Sequence, residues 1–215
     1  MTPRERGLVL VQIGITFLAF LLSTLFILFS VHPAVAACFR ACALLSAAGL
    51  CCMGAMLTRL PRDRWLASGM VMFLAGELAA CMLPAAGIIP CILGCLCFSL
   101  AYALDRPIDR PRLLALGIYT LALLAVLLLT GMLDTTAGIL WFLCAVSCFL
   151  SAVMALPQGH PVRFGTWLAM AGLLIQTGLY AAGNWAPAHI ICMLDLYTGL
   201  TMITSELWFR ACSES

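Results

Sequence analysis

Four ionisable residues lie inside long apolar stretches of this sequence, where a charge is hard to accommodate. They are Arg40, Glu77, Asp195 and Glu206. Charged side chains within a membrane are costly, so they usually face the interior of a helical bundle and take part in binding, ion movement or proton transfer. Desolvation favours the neutral form of a carboxyl group, which is the form that a general acid needs. These residues are therefore the first candidates for chemistry.

Three of the four fall at one estimated depth. At a rise of about 1.5 Å per residue, Arg40 and Asp195 each lie about 9 Å from the same membrane face along their runs. Glu77 lies about 18 Å along a run that starts at the opposite face. In a core about 30 Å thick, it is therefore about 12 Å from the face nearest to Arg40 and Asp195. Gln176 has the same estimated depth, and Tyr180 follows one turn later. The sequence predicts a polar pocket in the outer half of the membrane.

Two interpretations of this pocket are open. Arg40 would neutralise Glu77 or Asp195 and leave the other acid for catalysis, with Gln176 and Tyr180 as binding residues. Alternatively, the charges form a structural ion pair that holds the helices in register. Glu206 lies nearer the predicted inner surface and four residues before Arg210. This spacing suits a salt bridge, so we interpret Glu206 as structural.

Cysteine and histidine give no sign of a metal or cofactor site. Eleven of the twelve cysteines lie inside apolar runs, no CxxC pair occurs, and no histidine stands at zinc-finger spacing to them. The cysteines are expected to pack as small buried hydrophobic side chains. The three histidines lie in predicted loops or at predicted span ends, and no two of them are spaced to bind a metal. We predict no metal and no cofactor.

The elements that position these groups are expected to be membrane-spanning helices. The 215 residues are 64% hydrophobic and only 9% charged, whereas soluble domains carry about 25% charged residues. A surface this apolar predicts lipid as the solvent and excludes a basic nucleic-acid-binding face. Runs of about 20 apolar residues separated by prolines predict a single transmembrane domain over residues 1–215 with eight helices. The runs are 7–31, 34–57, 65–83, 88–104, 113–133, 136–156, 164–183 and 189–209.

The arginines predict the orientation of these spans. With the N-terminus inside, ten of the eleven arginines fall in inner loops or at the inner ends, and the outer loops hold none. Both termini are therefore predicted to be cytoplasmic, in a multi-pass protein of a cell membrane, most simply a bacterial one. The rival interpretation of the first run is a lipoprotein signal peptide that ends at Cys38. It is disfavoured because the run is longer than a signal core and another apolar run follows at once.

One stretch resembles a known family. Gly49–Cys51, Gly54, the loop Leu57–Arg64 and Phe73 are similar to the corresponding part of the YhhN-type lysoplasmalogenase family. The later runs GIYTLALLAVLLLTGML and AGILWFLCAVSCFLSAVMAL also follow the order of two helices in that family. The resemblance implies an eight-helix membrane protein that cleaves the vinyl-ether bond of lysoplasmalogens, with a membrane lipid as its partner.

The resemblance does not carry over catalytic residues. At positions where the family has an acid, a histidine and a second acid, this chain has Ala55, Gly76 and a span with only Ser147 near the expected place. Vinyl-ether hydrolysis needs a proton donor and a water molecule, so Glu77 or Asp195 is expected to be the donor and Arg40 to hold the phosphate or tune the acids. The alternatives are a small-solute transporter or channel that uses the same pocket, and a non-catalytic membrane scaffold. The sequence does not indicate an oligomeric state.

Overall fold

A computed structural model describes residues 33–182 and 188–213, together with the isolated positions 7, 11, 14 and 18. The predicted first span, 7–31, therefore lies almost entirely outside the described residues. For some helical residues, among them Arg40 and Tyr180, the structure describes the backbone and not the side chain.

The described part of the chain is helical and contains no β-strand, which confirms the predicted all-α class for these residues. Short 3₁₀ turns occupy Pro84–Gly87 and Met132–Asp134. The number of spans and the side on which the termini lie stay predictions. The α-helices are α1 (Pro33–Thr58), α2 (Pro61–Met82), α3 (Ile88–Asp105), α4 (Arg110–Thr130), α5 (Thr136–Met154), α6 (His160–Ala181) and α7 (Ala188–Ser213).

Local sequence explains where several helices begin and end. Pro61 begins α2, where its missing N–H removes no intrahelical bond. Asp109 caps α4 by accepting a hydrogen bond from the Arg112 amide at 3.2 Å, and Thr135 caps α5 in the same way from the Gly138 amide at 3.0 Å. Gly131, with φ of 68°, ends α4 in the left-handed conformation that glycine adopts easily.

Six helices close a ring, and α4 lies outside it. Around the ring α1 packs on α2, α2 on α3, α3 on α5, α5 on α6, α6 on α7, and α7 back on α1. The fourth helix packs mainly on α5, where Tyr119 stacks on Phe149 with ring centroids 4.0 Å apart. The ring therefore encloses one apolar core, whose largest fully buried side chains include Tyr102 and Phe98.

Three segments of the described chain are long and apolar enough to cross a membrane. They are Ala85–Asp105, α4 and α5, with mean hydropathies of 2.1, 2.5 and 2.2. Half of the first segment is buried inside the protein, whereas only 6% of α4 is buried. Most side chains of α4 are exposed or only partly buried, and an exposed apolar helix needs an apolar solvent, so α4 supports a membrane location.

Close contact between α2 and α3 depends on Gly69 and Gly76, which are seven residues apart on α2, and on Gly94 of α3. A Cβ atom on Gly69 would lie 2.5 Å from the Phe98 ring, and one on Gly76 would lie 2.7 Å from Cys91 Sγ. On the facing helix, a Cβ atom on Gly94 would lie 3.0 Å from Phe73. Small residues at this seam let two backbones approach closely, as is common for helices packed in membranes. The seam fixes the position of the residue that follows Gly76, which is Glu77.

Candidate functional site

A small cavity lies inside the ring, and Glu77 and Gln176 both line it. Residues of α1, α2, α3, α6 and α7 and the turn before α3 form its walls, and its volume is about 20 Å³. Glu77 is 6% exposed and Gln176 is 5% exposed. The structure thus brings together an acid from α2 and an amide from α6, which the depth estimate had placed at the same level.

Gln176 is the polar group of this cavity with an open hydrogen-bonding position. Its Oε1 atom is buried and accepts no hydrogen bond from any described residue. A buried amide oxygen without a partner costs about 1–3 kcal/mol. A cavity of about 20 Å³ has room for one water molecule, which needs a volume of about 10–15 Å³. The site can therefore hold a single water-sized group against Gln176 and Glu77.

The remaining walls are mostly apolar or weakly polar. Leu44, Phe73 and Leu196 line the cavity, together with the Cys91 thiol. The hydroxyl of Thr177 donates a hydrogen bond to Leu173 O of its own helix at 2.8 Å, so its proton is not available to a ligand. Among the described residues, Glu77 is therefore the one carboxyl group that lines the cavity, in a setting from which bulk water is largely excluded.

The other predicted site residues lie on helices that form the cavity. Asp195 is half-buried on α7, directly before the cavity-lining Leu196, and does not line the cavity itself. Arg40 and Tyr180 lie one helical turn from Leu44 and Gln176, respectively, and their side chains lie outside what the structure describes. The structure therefore assembles Glu77 and Gln176 and leaves the joint action of Arg40, Glu77 and Asp195 a prediction.

A second polar cluster joins three loops at the opposite end of the ring. Arg62 at the start of α2 forms an ion pair with Asp105 at the end of α3. It also donates a hydrogen bond to Gln158 Oε1, in the connection between α5 and α6, at 2.8 Å. Asp63, beside Arg62, is fully buried. These contacts place the arginine-rich loops together, away from the cavity, as expected if all of them lie on one membrane side.

Between these two regions, neutral hydroxyl groups connect the helices. Ser99 on α3 and Ser151 on α5 are hydrogen-bonded at 2.9 Å, and Ser151 also donates to Cys95 O at 2.6 Å. Tyr102 and Thr166 are hydrogen-bonded at 2.5 Å between α3 and α6. These pairs could not be predicted from the sequence, because single serines and threonines in apolar helices carry no distinguishing signal. Their bonds are satisfied, so we interpret them as structural.

The cysteines of the described core pack without disulfides. Cys95 and Cys148 approach to 3.7 Å between sulfur atoms, and Cys144 lies 4.0 Å from Cys148. The sulfur of Met170 completes this group, 3.5 Å from that of Cys95. Within residues 33–182 and 188–213, no three histidine, cysteine or acidic side chains are arranged to hold a metal ion.

Comparison with known proteins gives no match. Neither a family model, nor a curated protein, nor a solved structure is significantly similar to this chain.

Proposed function

We propose that this chain is a multi-pass membrane protein with eight spans and both termini in the cytoplasm. The apolar, exposed α4 and the convergence of the arginine-rich loops at one end support this placement. A reporter fused after Ser215 is expected to give a cytoplasmic signal, and one inserted near Asp134 an external signal. Translocation of the C-terminal reporter would show that the span count or the orientation is wrong.

Within this bundle, we propose that Glu77 transfers a proton to a bound single-chain lipid in a lysoplasmalogenase-like reaction. The observation that carries the proposal is the cavity that Glu77 shares with the open Oε1 atom of Gln176. Vinyl-ether hydrolysis requires an acid that can protonate carbon and a water molecule held beside it. A buried carboxyl group next to a space for one water supplies both requirements.

The reaction would proceed in three balanced steps. The Glu77 carboxyl group gives its proton to the alkene carbon remote from the ether oxygen, which leaves an oxocarbenium ion. A water molecule held by Gln176 Oε1 adds to the carbon bonded to oxygen and returns a proton to the Glu77 carboxylate. The hemiacetal hydroxyl group then loses its proton, the bond from its carbon to the glycerol oxygen breaks, and that oxygen takes up a proton, which gives a fatty aldehyde and the free glycerol hydroxyl group. Asp195 and Arg40, on helices that form the cavity, are the candidates for tuning this exchange and for holding the phosphate.

The cavity volume sets a condition on this reaction. A space of about 20 Å³ admits a water molecule and not an alkenyl chain. The helices around Glu77 must therefore separate to admit a substrate, and the described conformation corresponds to a closed state. Exclusion of water before and after the reaction would strengthen the electrostatic interactions of the site.

Aldehyde release from a lysoplasmalogen by the purified full-length chain tests the proposal directly. Glu77→Gln is expected to lower turnover at least about 100-fold, the usual minimum for loss of a general acid. The thermal unfolding midpoint should change little, because glutamine has nearly the same size and shape as glutamate. Glu206→Gln is the matched control: it makes the same acid-to-amide change on α7 outside the cavity and should keep wild-type turnover.

Two results would contradict the enzymatic proposal. Turnover retained by a folded Glu77→Gln variant would exclude this acid as the donor, and Asp195→Asn would then become the variant to examine. Failure of the wild-type chain to turn over the lipid in several detergents and in nanodiscs would exclude the reaction.

The size of the cavity also favours a second candidate, a pathway for protons or a small solute. An acid and an amide around a space for one water molecule, within a bundle of helices, form a typical intramembrane relay site. Proteoliposomes that carry a pH-sensitive dye distinguish the two candidates. Proton flux that depends on Glu77, without aldehyde release, would identify the second.

A further inference from the structure

A larger groove lies at the arginine-rich end of the ring, away from Glu77. It has a volume of about 550 Å³ and lies between the end of α1 and the start of α2. Ala55, Met56 and Ala67 form apolar walls, and Arg59 and Arg64 bring two positive charges to it. Its volume falls within the range of about 300–1,000 Å³ that is typical of ligand sites.

The backbone at Arg59 is an indication that this side chain has a role. Arg59 directly follows α1 with φ of 55°, and it is the one non-glycine residue with positive φ in the described part of the chain. Glycine is the usual residue in this position after a helix, because a side chain in the left-handed conformation is strained. An arginine kept in a position that favours glycine points to a function for its guanidinium group.

The two groove arginines differ from the arginine between them. Arg62 is paired with Asp105 and hydrogen-bonded to Gln158, whereas neither Arg59 nor Arg64 forms an ion pair with a described residue. Asp63 is fully buried and does not line the groove. Two like charges that share one groove repel each other, and an anion bound between them would remove that repulsion.

The apolar residues near the groove indicate which kind of anion it binds. Met56 is 75% exposed on its wall, and Leu57, Leu60 and Trp65 are exposed around it. Exposed apolar side chains next to arginines are typical of a membrane interface, where the arginines reach the lipid phosphates and the apolar groups meet the chains. A free phosphate ion would use the arginines alone and would leave this apolar surface unexplained.

We propose that this groove binds the phosphate group of an anionic phospholipid, with Arg59 and Arg64 on the phosphate and one lipid chain along Met56. The proposal depends on the membrane placement of the proposed function, with this end at the cytoplasmic surface. It does not depend on proton transfer by Glu77, because no residue of the groove lines the central cavity.

Lipid titration of the full-length chain in a neutral detergent tests the proposal, with native mass spectrometry to count bound lipids. The probes are phosphatidylglycerol, phosphatidylcholine and inorganic phosphate. The wild-type chain should prefer phosphatidylglycerol, and Arg64→Ala should weaken its binding about fivefold. Arg59→Gly should weaken binding to the same extent, while its thermal unfolding midpoint without lipid stays the same or rises, because glycine relieves the strained conformation.

Arg106→Ala is the matched control. Arg106 is exposed at the same end of the ring and lies outside the groove, so its loss removes one charge and should leave the preference for phosphatidylglycerol intact. If Arg106→Ala weakened phosphatidylglycerol binding equally, the overall charge of the protein would explain the effect, and the proposal would be overturned. Wild-type binding by both groove variants, or equal stabilisation by inorganic phosphate without lipid, would also overturn it. Glu77→Gln should bind phosphatidylglycerol normally, which separates this proposal from the enzymatic one.

Discussion

Polar side chains at the two ends of the ring differ in whether their hydrogen-bonding positions are filled. At the arginine-rich end, Arg62 has both an acid and an amide as partners. In the other half, Glu77 faces a cavity, and Gln176 beside it keeps an acceptor atom open. A polar group whose bonds are made stabilises the position of its neighbours, whereas one with an open position beside a cavity is available to a ligand. The first region is therefore expected to affect stability and the second to affect function.

The largest effect on stability is expected from Arg62→Met, which should lower the free energy of unfolding by about 2–3 kcal/mol. The reason is that Asp105 and Gln158 would lose a charged hydrogen-bond donor. A bond to a charged group contributes about 1.5–3 kcal/mol, and solvent weakens the pair with Asp105, whose side chain is 33% exposed, so the total stays near the value of one such bond. Thermal unfolding in detergent measures the effect. Arg106→Ala, a surface arginine of the same end, should change the midpoint little. An unchanged midpoint for Arg62→Met would show that the cluster does not hold the loops together.

A smaller effect of opposite sign is expected in the cavity. Gln176→Leu removes the unpartnered Oε1 atom and adds an apolar side chain against Leu173 and Leu196, so the protein should become more stable by about 1 kcal/mol. Turnover, or proton flux, should fall at the same time. Ser147→Ala is the control, since this buried serine on α5 does not line the cavity. Destabilisation by Gln176→Leu would show that the amide has a structural role and would break the distinction between the two regions.

Much of the fold could be predicted from the sequence because long apolar runs broken by prolines leave helices as the natural structure. The fixed rise per helical residue predicts that Glu77 and Gln176 lie at a similar level, and both line one cavity. The direction in which each side chain faces could not be predicted, because nearly every helix is apolar on all sides. Asp195 is an example. Its estimated depth is similar to those of Glu77 and Gln176, but its neighbour Leu196 is the residue that lines the cavity.

The sequence shows which residues form the arginine-rich end, but it does not show which of them contact one another. The loop from Thr58 to Arg64 suggests a set of equivalent surface charges. The structure instead separates Arg62, which is paired, from Arg59 and Arg64, which line a groove. Sequence spacing alone does not tell which arginine meets Asp105, since that acid lies on another helix. One sequence feature could have drawn attention to this loop: directly after α1, where glycine is usual, the chain has Arg59.

The hydroxyl pairs between the two regions should have a small effect. Ser99→Ala removes the bond to Ser151, and a hydrogen bond between membrane helices contributes about 0.6 kcal/mol on average. Ser151 keeps its bond to Cys95 O, so no buried group is left without a partner. The unfolding midpoint of Ser99→Ala, compared with that of Ser147→Ala, measures this contribution. A loss as large as that of Arg62→Met would contradict the assignment of stability to the arginine-rich end.

The smallest effect is expected from oxidation of the buried cysteines, which should leave the protein unchanged. Cys95 and Cys148 are almost fully buried, and their sulfur atoms are 3.7 Å apart, well beyond the length of a disulfide bond, about 2.05 Å. Buried thiols in apolar surroundings stay protonated and react slowly. Gel migration should therefore be the same with and without reductant, apart from any dimer formed through Cys212. A water-soluble maleimide should reach the buried Cys95 and Cys148 only after unfolding. A reductant-sensitive band that disappears in Cys148→Ala would show instead that the core around Cys148 opens to oxidants.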